Sequence, residues 1–523
     1  MRWFKTHSLL AVAGWCLTAT CDEDLQAQKT FLSPDGFPDI SAMREMPDLA
    51  ELLPKLSDTA KVYYPGTDGF NAASARWSAT PKPRVNAVVV PGTEKDVAVT
   101  VRFANSLDIP FLAYGGAHGT LSTLSNMDWG IAIQLSQLSS VEIAVYGNTA
   151  TVGGGTLMKT VQDTLWDAGK QTVTGACECV SYVGPALGGG HGWLQGHYGL
   201  ASDQFVSLNV VLADGTLTTV SSESNSDLWW AMRGAGHNFG IVTSVTSKIH
   251  PLTQPDWALE TFMFAGDRIE DLYTSANDHL LQEGNQPAGL VSFSFWIHIP
   301  AIDPVNPVLA FSIMQEGVTT VSSTYTSPFH DLSPLAVDVK SGTYRDIASW
   351  FHINADSPVC LKNTGLAGLR FPLYLERHNV TAQRTLYTAF ADGTRGEDNP
   401  FHDSVFIFEG CSFLGVREQE SKDGGAFAYR EGNNMLVSPN VQYTVTTPER
   451  DEQAREFGER LRDIMWEGSG RREKRVYVNY AYGDEGVEEW YGSEEWRGER
   501  LRELKRRYDP RGRFNYYAPI PSE

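Results

Sequence analysis

Long apolar runs are missing from this 523-residue chain. Beyond the first residues, no stretch approaches the ~20 apolar residues of a membrane-spanning helix, which excludes a protein built on such spans. Cysteine is scarce too: Cys16, Cys21, Cys177, Cys179, Cys360 and Cys411 are scattered, two of them near the N-terminus. That supply gives no disulfide framework for so large a chain. Cys177 and Cys179 are separated by one residue, too close to staple anything useful, and need another explanation. Positive charge is outweighed, with 42 Lys and Arg against 63 Asp and Glu, a net −21. Nucleic-acid binding rests on clustered cations that neutralise phosphates, so that class is excluded. The basic runs at Arg471, Arg472, Lys474 and Arg475 and at Lys505–Arg507 are interrupted by Glu or flanked by acidic helix, and read as solvated surface. Internal repeats and low-complexity tracts are absent as well, which excludes a solenoid.

What is present begins with Arg2 and Lys5 ahead of an apolar stretch, Leu9–Ala19, then Asp22, Glu23 and Asp24. This order reads as a secretory signal peptide over residues 1–21, and places the protein in the secretory pathway or outside the cell. The sequon Asn379-Val380-Thr381 is compatible with a secreted glycoprotein.

From about Tyr63 the texture is α/β. Ala87–Val90 reads as a buried strand, and Thr93-Glu94-Lys95-Asp96 as the cap of a helix carrying Val97, Val101 and Ala104. Ile109–Ala113 is the next strand and runs into Gly115-Gly116-Ala117-His118-Gly119. Strands are expected at Ile131–Leu135, Val141–Tyr146 and Ala150–Val152, then a helix with Leu157, Val161 and Leu165. A glycine-rich passage, Gly184–Gly199, precedes the strand Val206–Leu212 and a hairpin at Asp214-Gly215. After Pro251, segments such as Val291–Ile297 and Leu309–Ile313 alternate like half-buried antiparallel strands, which suits a substrate domain. A helix opens at Thr447-Pro448 and ends at Gly468-Ser469-Gly470, before an expected strand Val476–Tyr480 and a last helix near Arg500–Tyr508.

Glycine admits positive φ and close approach, and its exposed amides can cradle a pyrophosphate. Clusters at Gly115, Gly153 and Gly188 point to one extended anionic cofactor gripped from several sides. A dinucleotide fingerprint is the obvious rival, but the run Gly234–Gly240 lacks its spacing and its ribose-binding acid. A metal held by Cys177, Cys179, His191 and His197 fits no common zinc pattern.

These residues resemble the covalent-flavin oxidoreductases of the vanillyl-alcohol-oxidase (PCMH-type FAD-binding) fold, in its berberine-bridge-enzyme-like branch. The matching pieces are Gly115–Gly119, Cys177–Ser181, Gly184–Gly192, Asp227–Gly234 with Asn238–Thr243, Tyr477–Tyr480 and Tyr508-Asp509-Pro510 with Phe514. The resemblance covers about 60–255 and 475–520. It implies an α+β fold: a two-subdomain FAD-binding domain over 60–255, a helix-covered antiparallel-sheet substrate domain over 256–470, and a segment 471–523 returning to the FAD domain. It further implies FAD bonded to His118 and, through a second link, to Cys177, with Gly115, Gly116, Gly119, Val180, Gly184, Gly188, Gly189, Gly190, Gly192, Gly240, Ile241, Val242 and Asn479 around the cofactor. Ala117 and Ser181 stand where the family usually has glycine.

The expected chemistry is hydride transfer from an alcohol or amine carbon of a natural-product intermediate, as in secondary metabolite biosynthesis. Tyr480 is the first choice as base, with Tyr477 and Tyr482 as neighbours. A tyrosine needs a nearby cation or hydrogen bonds to serve, because its ordinary pKa is ~10. By the same resemblance, Val180 holds the place that gates oxygen in related enzymes, and valine there implies O2 as electron acceptor. Two alternatives stand beside this: a secreted carbohydrate oxidase acting on a sugar C1 hydroxyl, and a flavin-fold cyclase or binding protein without net redox turnover.

Overall fold

The computed structural model describes residues 49–420 and 424–522, so the signal peptide expected over 1–21 lies outside the described residues. Short apolar strands build the first layer: β1 (Lys61–Tyr63), β2 (Val85–Val90), β3 (Phe111–Tyr114) and β4 (Gly130–Gln134), in the order β1-β2-β4-β3. β2 and β3 run parallel to β4, so the chain must cross over between them. Helix α1 (Glu94–Ser106) makes that crossover. Its start is fixed reciprocally: Thr93 Oγ1 accepts from Asp96 N, and the Asp96 carboxylate accepts from Thr93 N at 2.8 Å. Val97, Val101 and Ala104 are buried, as their helical spacing predicts.

A second sheet follows: β5 (Val141–Ile143), β6 (Thr149–Gly153), β7 (Phe205–Val211), β8 (Leu217–Ser221) and β9 (Ile241–Lys248), ordered β5-β6-β9-β7-β8 and antiparallel throughout. The strand expected to reach Tyr146 stops at Ile143. Gly147 N donates to Ala144 O at 2.8 Å, and this turn leaves Tyr146 92% exposed at its tip. Between β6 and β7 lie α2 (Met158–Asp167), the Cys177 loop and the short α3 (Val183–Leu187).

The third sheet is the largest. It comprises β10 (Asp256–Phe264), β11 (Leu290–Ile297), β12 (Val308–Glu316), β13 (Ala336–Thr343), β14 (Leu366–Arg370), β15 (Leu373–Leu375), β16 (Val405–Cys411) and β17 (Met435–Thr444). Its order is β13-β10-β12-β11-β16-β17-β14, with β15 also pairing to β17. One face carries Trp296, Phe406 and Phe408 against α4 (Ile269–Ala276) and α5 (Val380–Thr394), and α6 (Pro448–Gly468) packs beside α5. Alternation turns Phe293 and its cross-strand partner Glu409 to the other face, where Phe293 meets Trp193 at 5.0 Å. That face looks toward the glycine-rich passage.

The strand expected at Val476–Tyr480 is not one: the segment joins no sheet and closes into a turn over 478–480. Its polar groups find separate partners rather than a ladder, with Arg475 O accepting from Tyr374 N, Val476 N donating to Glu489 O, and Tyr480 N donating to Tyr477 O at 2.9 Å. Helix α7 (Glu495–Tyr508) then packs its buried Lys505 against Asp509 at 2.7 Å. Among the described residues no helix is long and apolar enough to cross a membrane.

Candidate active site

The loop leaving β3 carries Ala117 at φ +57°, a left-handed conformation that glycine adopts without strain. This explains why a glycine is the usual occupant of that place. The turn lays the His118 ring on Trp77, with ring centroids 5.9 Å apart, while Arg76 Nη2 donates to Gly119 O at 2.9 Å. Burial, then the charges of Lys362, Arg370 and Arg76, push the His118 pKa down to about 3. The imidazole is therefore neutral, with a free nitrogen lone pair.

A Cβ on Gly116 would come within 2.9 Å of Ser181 N, and one on Gly115 within 2.8 Å of Ser181 Cβ. The His118 loop thus lies backbone to backbone on the Cys177 loop, because these glycines have no side chains. Gly184 lies against Ser181 Oγ, and Val180 completes the Gly116 contact through its Cα. The cysteines hold a surprise for the sequence reading. Cys179 is disulfide-bonded to Cys360, 181 residues away, so the close pair does staple something: one partner of it joins a distant loop. Cys177 is free and partly buried, and burial raises its thiol pKa against the opposing pull of Arg370.

Arg370, at the end of β14, links the two halves of the site. Its guanidinium lies 5.2 Å from the Trp77 ring and 4.4 Å from the Tyr480 ring. The Tyr480 hydroxyl donates to Glu409 Oε1 at 2.8 Å. Burial pushes the Glu409 carboxyl up to about 7, with Tyr480 and Arg370 pulling the other way. The Tyr480 phenol is raised well above 10 by burial and by Glu409. Sequence reasoning missed Glu409, Arg370 and Trp77. A signal existed for Glu409, a lone charge directly after the apolar run Val405–Phe408.

Tyr477 occupies a neighbouring subsite. Its hydroxyl accepts from His191 N at 3.2 Å and from Asn479 Nδ2 at 2.8 Å, and burial pushes its pKa up to about 12. His191 is itself tied by Gln195 and Tyr374, with ring-nitrogen distances of 2.7 and 2.6 Å. Gly188 abuts Asn479, and Gly189 abuts Phe427. Gly190, at φ +84°, lies on Ala186 and Ala201.

The remaining expected positions have neighbours of their own. Tyr482 stacks on Phe371 at 4.6 Å, in a different apolar cluster from Tyr477 and Tyr480. Gly119 packs on Tyr517, Gly192 on Thr174, and Gly240 on Val210. Ile241 and Val242 open β9, where the Val242 carbonyl lies under Gly154.

FAD fits these residues on one physical ground. His118 Nε2, Arg370 Nε, Arg76 Nε and Nη1, and Asn479 Oδ1 are buried and lack any protein partner. Each such group costs ~1–3 kcal/mol if left bare. A flat, hydrogen-bonding, anionic dinucleotide supplies what they lack.

Comparison with known proteins agrees. Residues 85–221 match the FAD binding domain family, and residues 476–521 the family described as berberine and berberine like. The chain is 50% identical to the FAD-linked oxidoreductase chyH of Penicillium rubens, over 99% of this chain and 100% of that protein. It is 51% identical to the FAD-linked oxidoreductase chry5 of Gibberella zeae, over 90% and 95%. Among solved structures, Physcomitrella patens BBE-like 1 superposes with a TM-score of 0.77 at 20% identity, covering 90% of this chain and 98% of that one. The xylooligosaccharide oxidase of Myceliophthora thermophila superposes at 0.75 with 19% identity, covering 89% and 97%. Both share the fold.

Proposed function

We propose, on the premise that this chain belongs to the berberine-bridge-enzyme-like FAD-linked oxidoreductases, that it holds FAD covalently and oxidises an alcohol or amine carbon of a small natural-product intermediate. The grouping of His118, Cys177, Tyr480 and Glu409 around Arg370 carries this reading. When bound, FAD supplies the acceptor for a hydride equivalent from the substrate carbon.

The chain supplies the rest. His118, kept neutral by its surroundings, is the first covalent anchor, and Cys177 the second. Asn479 and Arg76 offer their unpartnered atoms as binding contacts. Tyr480 takes the proton of the substrate hydroxyl or amine and passes its own along the 2.8 Å bond to Glu409. Arg370, over the Tyr480 ring, steadies the negative charge that gathers there. Tyr477, already accepting two N–H groups, serves to orient rather than to abstract. O2 is the electron acceptor in this reading, with Val180 beside the Cys177 loop as its supporting residue. Mixing substrate-reduced enzyme with oxygen checks that; re-oxidation slower than transfer to a quinone dye overturns it.

The same Tyr480–Glu409 pair would act equally on a sugar C1 hydroxyl. Flavin bleaching by a panel of oligosaccharides would favour that second reading. Covalent attachment is tested by acid precipitation. The wild-type pellet stays yellow, the single variants His118→Ala and Cys177→Ala each keep one bond, and the double variant keeps none. A double variant still coloured after acid ends the assignment.

A further inference from the structure

The two edges of the large sheet differ. At β14, Ala79 N donates to Leu366 O at 2.8 Å and Gly368 N donates to Ser78 Oγ at 3.2 Å, so that edge is covered by its own chain. β13 is the other edge and pairs only with β10. Alternation decides which of its backbone groups are left over. Gly317 N donates to Asp256 O at 2.8 Å, so Asp256 and every second residue after it on β10 turn their backbone groups toward β12. Leu259 and Thr261 therefore turn theirs toward β13, where they stand opposite Lys340 and Asp338. Val337, Val339 and Ser341 are left with N–H and C=O groups pointing off the sheet, and among the described residues nothing takes them up. Thr343 N closes the row by donating to Asp346 Oδ2 at 2.7 Å. An open edge of this kind is a template for another strand. This one is also apolar: Leu335, Val337 and Val339 are 55%, 40% and 58% exposed.

We propose that β13 pairs with β13 of a second copy of this chain, antiparallel about Val339, and joins two sheets into one. Charge complementarity selects both the partner and the register. Asp338 and Lys340 share one face of the strand, with Nζ 3.3 Å from Oδ2. Setting Val339 against Val339 of the other copy brings Asp338 opposite Lys340 of that copy, and the twofold axis repeats the contact. In the same register Val337 meets Ser341, and the outward N–H and C=O groups of both strands find each other. Sliding by two residues, the smallest step that keeps those groups matched, sets Asp338 against Asp338 or Lys340 against Lys340. The strand is thus complementary to itself in one register, and the pairing closes at two copies.

Sedimentation velocity on the purified full chain, between ~1 μM and ~1 mM, tests this. The wild type is expected to pass from monomer to dimer as its concentration rises. Asp338→Lys sets lysine against lysine on both sides of the axis and is expected to weaken the dimer ~10-fold or more. Combining it with Lys340→Asp makes the facing charges opposite again and is expected to restore the dimer. Val339→Pro removes an N–H that has no partner within the monomer, at an edge where proline is tolerated, and is expected to leave monomer alone. Circular dichroism checks that each variant is folded. A wild type that stays monomeric throughout overturns the proposal, as does a dimer that Asp338→Lys leaves unweakened. A folded double variant no tighter than Asp338→Lys alone overturns it too, and the charge variants decide if Val339→Pro does not fold.

Discussion

With Tyr480 as the proposed base, Glu409 sets the pH at which it can work. The pair shares one proton along its hydrogen bond, and the phenol can hand its proton on only when the carboxylate is ionised. Burial raises Glu409 to about 7, so its basic form dominates above that pH and is lost below it. We expect kcat/KM to rise with pH through about 7, and Glu409→Gln to lower it ~10²-fold or more and to erase that limb. A pH profile of both proteins checks this; a limb surviving in the variant assigns it to another group. Glu409 was partly legible, since a lone charge in an apolar strand is conspicuous. Their pairing was not, because Tyr480, singled out on its own, stands 71 residues further on and comes to Glu409 across the fold. The disulfide was hidden for the same reason. Cys360 has no local pattern, and only the path of its loop brings it to Cys179.

Elements differ in how plainly the sequence announces them. β11 and β12 follow the alternation of their side chains, because one face meets the helices and the other meets the glycine-rich passage. α1 follows from its cap and α6 from Thr447-Pro448 at its start. Val476–Tyr480 carries the same kind of pattern and is no strand, since it meets β15 through one bond, from Tyr374 N to Arg475 O, and its next groups turn to Glu489 and to Tyr477. The end of α7 rests on one buried ion pair. Lys505 and Asp509 are both fully buried, and Asp509 also accepts from Arg513 N at 2.7 Å and Phe514 N at 3.0 Å. Asp509→Ala strands a buried ammonium and is expected to cost ~3–5 kcal/mol, read by urea unfolding. A loss under ~1 kcal/mol would show that the pair is dispensable.

At the scale of the whole molecule, the fold is closed by its own end. Asn238, near the start of β9, donates to Ala518 O at 3.1 Å and to Tyr491 OH at 2.9 Å, and accepts from Ile520 N at 2.9 Å. Ala518 and Ile520 are fully buried. Truncation after Tyr517 removes the Ile520 side chain from the core and leaves Asn238 short of two partners. The expected loss is ~3–5 kcal/mol, seen as a lower thermal midpoint; an unchanged midpoint would contradict the closure. The outline of this architecture was legible through the ordered glycine clusters and the late Tyr477-Val478-Asn479-Tyr480 block. How that block folds was not, because its geometry is dictated by segments hundreds of residues earlier.

The position of Tyr480 has a bearing on biosynthesis. The two loops proposed to anchor the cofactor leave the ribosome first, Arg370 and Glu409 later, and the Tyr480 phenol after them. During translation the nascent polypeptide can shape its flavin socket while lacking the means to move a substrate proton. With Tyr480 as the proposed base, oxidation waits until its segment has emerged and folded back, so the order of synthesis itself keeps an unfinished copy silent.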